Sequence, residues 1–232
     1  MKLFWAALSG VLCTAHISFA EPRVTYNAYG MPGLVDMPSA QSAPDAELSF
    51  SVSQSGKSLR NTLTFQIAPR LTGAFRYSSI ERPTQTLYDR SFDLRYRLLD
   101  ETQLRPAVAV GLQDFIGTGV YSGEYVAASK TFGPVVATAG IGWGRLGSHN
   151  SFDNPLGLIS SRFDTRDAGF TGTGGRIESA RWFRGPAAFF AGFAWPVTDK
   201  VTLKAEYSSD AYTQEVAAGH FEHRSPFHLA LD

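Results

Sequence analysis

The chain of 232 residues carries a single cysteine, Cys13, and that residue lies within the first twenty. Once such a segment is removed on export, neither a disulfide framework nor a thiolate metal site can form. Long apolar runs are equally scarce. Beyond the N-terminal segment no stretch reaches the roughly 18 apolar residues a membrane helix requires, so any crossing of a bilayer must use strands. Charge of one sign is also missing. Lys plus Arg and Asp plus Glu number 21 each, which leaves no broad basic field to gather nucleic acid and excludes it as a partner. There is no Gly-x-Ser-x-Gly nucleophile elbow. What is abundant points the other way: 17 Phe, 9 Tyr and 22 Gly suit strands and tight turns better than helices.

The N-terminus reads as a signal peptide over 1–20. Lys2 supplies the positive start, residues 3–12 form an apolar run, and Ser18-Phe19-Ala20 places small residues where a signal peptidase reads, with cleavage after Ala20. Leu12 precedes Cys13 where a lipoprotein signal carries Gly, Ala or Ser, which argues against a lipid anchor. Residues 21–45 contain Pro22, Pro32, Pro38 and Pro44 and so exclude an ordinary helix or central strand. This segment is expected to be a periplasmic leader, either disordered or tucked into a lumen as a plug.

From residue 46 onward the spacing predicts nine strands, at 46–53, 61–68, 71–77, 91–99, 106–113, 122–132, 135–143, 187–195 and 201–208, with a tenth beginning at Ser225. Several alternate at period two. Leu63, Phe65 and Ile67 oppose Thr62, Thr64 and Gln66, and Phe92, Leu94, Tyr96 and Leu98 oppose Asp93, Arg95 and Arg97. Val201, Leu203, Ala205 and Tyr207 likewise oppose Thr202, Lys204, Glu206 and Ser208. The run 122–132 is ambiguous, because Glu124 and Lys130 share a face with Val126 and Ala128. Between these limits short connections (69–70, 100–105, 133–134, 196–200) alternate with longer ones (54–60, 78–90, 114–121, 144–186 and about 210–224). Short turns on one rim and long loops on the other are the pattern of an outer-membrane barrel. The expected fold is therefore all-β, an antiparallel transmembrane β-barrel of 9–10 strands over 46–232. It is expected to be incomplete, because the chain ends at Asp232, a few residues into the tenth strand.

Particular segments carry a resemblance. They are Tyr29-Gly30-Met31-Pro32-Gly33-Leu34-Val35-Asp36-Met37-Pro38-Ser39-Ala40, Phe92-Asp93-Leu94-Arg95-Tyr96-Arg97-Leu98-Leu99, and Val108-Ala109-Val110-Gly111-Leu112-Gln113-Asp114. Glu124-Tyr125-Val126-Ala127-Ala128-Ser129-Lys130, Trp182-Phe183-Arg184-Gly185-Pro186 and Lys204-Ala205-Glu206-Tyr207-Ser208-Ser209-Asp210-Ala211-Tyr212 follow in order. Together they resemble the YjbH-like family of outer-membrane barrels associated with exopolysaccharide biosynthesis, in its N-terminal portion. The resemblance implies a location in the bacterial outer membrane and a part in making, exporting or modifying a surface polysaccharide. It implies no catalytic residues and no cofactor, with lipid, the polysaccharide and other proteins of an export operon as partners.

The candidate lumen-lining residues are Arg76, Asp93, Arg95, Arg97, Lys204 and Glu206. They offer either a hydrated track for a glycan or charges paired for structure. Trp182 is the candidate for stacking on a sugar, whereas Tyr77, Tyr96, Trp143, Phe183, Trp195 and Tyr207 are expected with it near the membrane interfaces. His220 and His223 form a His-x-x-His pair that nothing in the sequence completes to a metal site. Asp164 and Asp167 beside Gly169, Gly172, Gly174 and Gly175 read as a flexible loop rather than a calcium or phosphate loop. No metal site is expected. The rival functions are a periplasmic polysaccharide-modifying enzyme, for which no pair of carboxylates is marked, and a general porin or adhesin.

Overall fold

A computed structural model describes residues 23–167, 175–177 and 179–232. The expected signal peptide, with Cys13, and Gly169, Gly172 and Gly174 lie outside the described residues.

The described chain is all-β, with strands β1 (Leu48–Ser55), β2 (Ser58–Ala68), β3 (Leu71–Ile80), β4 (Leu87–Leu99), β5 (Ala107–Gly117), β6 (Gly123–Phe132), β7 (Val135–Gly144), β8 (Arg176–Ile177), β9 (Ala187–Thr198), β10 (Val201–Tyr207) and β11 (Phe227–Leu231). Ten of them pair antiparallel with their neighbours in the order β1-β2-β3-β4-β5-β6-β7-β9-β10-β11, and the two-residue β8 attaches to β5. The sheet does not close: β1 and β11 each pair on one side only. Among the described residues no helix is long and apolar enough to cross a membrane.

Burial along the strands is inverted relative to a water-soluble sheet. In β2, Ser58, Arg60, Thr62, Thr64 and Gln66 are buried while Leu59, Leu63, Phe65 and Ile67 are exposed. In β4, Asp89, Ser91, Asp93 and Arg95 are buried while Tyr88, Phe92, Tyr96 and Leu98 are exposed. The period-two side-chain alternation of a strand produces this two-faced ribbon directly from the sequence. The edges continue it, with Leu48, Phe50 and Val52 of β1 and Phe227, Leu229 and Leu231 of β11 all turned outward and exposed.

Residues 25–43 fill the concave side. The segment is tied to strands along the whole sheet: Ser53 Oγ donates to Ala28 O at 2.5 Å, Thr64 Oγ1 to Gly30 O at 2.6 Å, and Arg76 to Tyr29 O. Ser129 Oγ accepts from Ala40 N at 2.9 Å, and Lys204 Nζ donates to Tyr26 O at 3.1 Å. One short segment reaching β1, β2, β3, β6 and β10 requires that the sheet wrap around it. Its prolines prevent helix or ladder formation, so its own backbone is satisfied by tight turns, including Gly30 at φ 78° with Gly30 N–H donating to Asn27 O.

The inner face is not uniformly polar. Met37 packs with Tyr125, Ala127, Leu146 and Phe190, and glycine makes room where bulk projects inward. A Cβ at Gly140 would collide with the Phe190 ring, and one at Gly192 would lie 2.6 Å from Leu34 Cδ1. This also settles the orientation of β6. Tyr125, Ala127 and Ser129 face inward, and Glu124 lies on the opposite face, covered by the long connection after β7, where Arg166 pairs with it at 2.6 Å.

Three expectations need correction. Strands β3 and β4 run further than the apolar pattern indicates, to Ile80 and from Leu87, because ladder pairing continues through polar residues. The first connection shrinks to Gly56-Lys57, as short as Pro69-Arg70, so the alternation of short and long connections is not clean. Trp143, expected at an interface, is buried: its Nε1 donates to Asn154 Oδ1 at 3.0 Å and its ring meets Phe183 edge-on.

Candidate functional site, the plugged concave face

The polar wall of β3 and β4 brings together three of the candidate residues. Arg76 and Asp93 are both buried and form an ion pair, and Arg76 also donates to Ser91 Oγ. Asp93 accepts from Asp114 N at 2.8 Å. Arg95 donates to Ser39 O at 3.0 Å, to Gln41 O, to Ser42 Oγ and to Thr72 Oγ1, so its guanidinium binds the plug backbone without a carboxylate. Arg97 does not join them. It is half-buried at the short-turn rim, pairing with Asp100 at 3.0 Å and donating to Pro69 O, because the strand leaves the plugged region there.

Above this wall Tyr29 of the plug meets Tyr121 edge-on at 5.6 Å, and guanidinium groups of Arg60, Arg76 and Arg145 lie over the two rings at 4.7–5.9 Å. Cations over ring faces gain attraction that strengthens as water is removed. Burial pushes the Tyr29 phenol well above its ordinary range. Arg145, on the turn after β7, is held by Asp210 at 2.5 Å and Glu215 at 2.9 Å. Burial would raise both carboxyl groups. At Glu215 the charge and hydrogen bond of Arg145 prevail and lower its pKa, whereas Asp210, fully buried, is pushed up to about 6 despite Arg145.

Asp210 therefore keeps its proton longer in the folded state than its ordinary value of 3.8 would allow. Between about pH 4 and 6 the native state binds more protons at this group than the unfolded state does, so its contribution to stability falls as pH rises through that window. We expect the stability difference between Asp210→Asn and the wild type to shift in the variant's favour across pH 4–6, read as denaturant midpoints. A difference that is flat with pH contradicts this.

On the other wall, Lys204 and Glu206 of β10 also face the plug. Glu206 accepts from three consecutive backbone N–H groups, of Val35 (2.8 Å), Asp36 (2.9 and 3.0 Å) and Met37 (3.1 Å). A fully buried carboxylate in a cradle of donors is a strong clamp. Asp36, on the plug, accepts from the Tyr212 hydroxyl at 2.6 Å, and His228 of β11 approaches both carboxylates. Asp36 and His228 are functional candidates that sequence reasoning missed, and no local motif marks them.

At the rim carrying the longest connections, a cavity of about 260 Å³ is lined by Gly119, Ser122, Gly144, Arg145, Arg166 and Asp210, among others. It adjoins a smaller recess, sharing Gly119 and Ser122, that Trp182 lines with Asp114 and Phe115. Trp182 is half-buried there, edge-on to Phe115 at 6.4 Å. His220 and His223 do not come together: His220 lies against Ser58 and Glu81 O, whereas His223 meets His149 and Tyr212.

The fold and this face define a class: an open antiparallel sheet, polar within and apolar without, wrapped around its own N-terminal segment. The chain matches the family described as exopolysaccharide biosynthesis protein over residues 25–232, and it belongs to that family, YjbH. It is 35% identical over 212 residues to a protein of Escherichia coli (strain K12) described as "Uncharacterized lipoprotein YjbH", covering 87% of this chain and 30% of that protein. The chain thus spans about 30% of the length of the curated relative it matches.

Proposed function

We propose that this chain builds the wall and plug of an outer-membrane β-barrel that serves exopolysaccharide export or surface assembly, without catalysis of its own. The observation that carries the membrane part is the inverted burial of β2, β3 and β4, with Phe65, Phe75 and Phe92 exposed outside and Thr64, Arg76 and Asp93 buried within. In water an exposed band of this kind would be an association hazard; in hydrocarbon it is the stable arrangement. Hydrocarbon offers no partner to a bare strand edge, so in this reading the free edges of β1 and β11 are completed by further strands. The family supports the polysaccharide connection. The relative's description as a lipoprotein supports an envelope location and sets a lipidated Cys13 beside cleavage after Ala20 as the mature start, two forms that intact mass distinguishes.

Leu63→Lys, at the exposed middle residue of β2, tests the membrane reading. A lysine on the lipid face near the bilayer midplane costs about 2–4 kcal/mol, read as a fall in folding stability in lipid vesicles. If that surface faces water, the substitution costs little or improves solubility, and recovery of the native protein from the soluble periplasmic fraction would turn the assignment toward the enzyme rival.

A further inference from the structure

The geometry points to a binding site for one first-row divalent cation, of the zinc class, formed by Asp36 of the plug, Glu206 of β10 and His228 of β11. One ligand atom from each lies within 4.8 Å of the others. His228 Nδ1 stands 3.1 Å from Glu206 Oε1 and 3.5 Å from Asp36 Oδ2. Ligand atoms around a tetrahedral zinc with bonds of about 2.0–2.2 Å are separated by roughly 3.3–3.6 Å; the His228–Asp36 separation of 3.5 Å lies in that range, and the 3.1 Å His228–Glu206 contact, a hydrogen bond here, opens slightly as the cation replaces its proton. One imidazole nitrogen with two carboxylate oxygens favours zinc and its neighbours over calcium or magnesium, which take oxygen donors in larger number.

The surroundings are those of a supported site. The backbone N–H groups of Val35, Asp36 and Met37 hold the Glu206 carboxylate, and the Tyr212 hydroxyl donates to Asp36 Oδ2, which fixes both acids from behind. Outer contacts of this kind orient metal ligands and tune their affinity. Asp36, Tyr212 and His228 also line a cavity of about 490 Å³ between Ser55 at the end of β1 and Leu229 of β11, which supplies an entry path and room for a water as fourth ligand. A cation there joins the plug to the last two strands beside the open edge, and so adds to the hydrogen bonds and the Met37 packing that retain the segment.

The test is calorimetric titration of Zn²⁺ into the full chain in detergent micelles after stripping with chelator, with Ca²⁺ and Mg²⁺ as comparison ions. The expected result is one zinc per chain, no comparable binding of Ca²⁺ or Mg²⁺, and a loss of affinity on the order of 100-fold in Asp36→Asn or His228→Gln. His220→Gln, in the connection between β10 and β11 and held against Ser58 and Glu81 O, retains wild-type binding. Absence of saturable zinc binding, wild-type affinity in His228→Gln, or an equal loss in His220→Gln overturns the proposal. Should the variants fail to fold, Co²⁺ loading of the wild type decides it independently: paramagnetically shifted imidazole resonances support the site, and their absence overturns it.

Discussion

Replacing Arg76 with Leu is expected to lower the unfolding free energy by about 3–5 kcal/mol, because it leaves a carboxylate buried without its counter-ion. Asp93 is almost wholly enclosed, and its neighbourhood already holds the buried carboxylates Asp89 and Asp114. The guanidinium of Arg76 ties Asp93 to the Tyr29 carbonyl and to Ser91 at once, so the substitution also releases the plug at its first turn. The companion Arg76→Leu/Asp93→Leu removes both charges, and most of the loss should return, since replacing a buried pair by apolar groups is often close to neutral. Denaturant unfolding in micelles, followed by the heat-dependent shift in electrophoretic mobility, measures both. A single-variant loss below about 1 kcal/mol would show that water reaches the pair and that the concave face is an open channel rather than a packed interior.

Glu206→Ala should have the second large effect and the more informative phenotype. It deprives the N–H groups of Val35, Asp36 and Met37 of their acceptor, and each buried donor left unpaired costs about 1–3 kcal/mol. That penalty falls on the docked plug alone, because the paired ladder of β9 and β10 does not use the side chain. We therefore expect the sheet to persist while residues 23–45 become accessible to protease and, if the proposed membrane role holds, the conductance of reconstituted bilayers to rise. Glu206→Gln, which keeps an acceptor oxygen, should lie between. If protease pattern and conductance both match the wild type, the segment is held by the Met37, Tyr125 and Phe190 packing instead, and the clamp is redundant.

These results bear on how a plugged sheet could serve a polymer. Arg76, Asp93, Arg95, Lys204 and Glu206 all face inward, yet every one is engaged by the plug or by another buried group. With the segment in place none of them is open as a hydrated track. They hold the segment in place, which is the structural reading of these charges. Trp182 and the rim cavity stand outside the plug.

Much of this was legible in the residues. The alternation in 61–68 and 91–99 identified β2 and β4 and separated Asp93 and Arg95 from the apolar side chains beside them. Where a strand mixes its faces, the pattern failed. Glu124 and Lys130 share the face of Val126 and Ala128, and only the long connection folding back to place Arg166 on Glu124 explains a charge there. Trp143 misled for the same reason, since a tryptophan near a strand end suits an interface as well as a covered loop contact with Asn154. Arg97 shares the period of Arg95 but sits one step beyond the plug, and no sequence rule marks that limit.

By itself the sequence determined the all-β class, nearly every strand, and which side chains share a face, because side-chain direction along a strand alternates as a property of each residue's own backbone. Tertiary structure alone decided, between a disordered leader and a plug, that residues 25–43 fill the concave side, and that Asp36 meets Glu206 and His228. Those outcomes depend on curvature and register summed over ten paired strands, and they join residues about 170 positions apart, a separation across which no local pattern carries information.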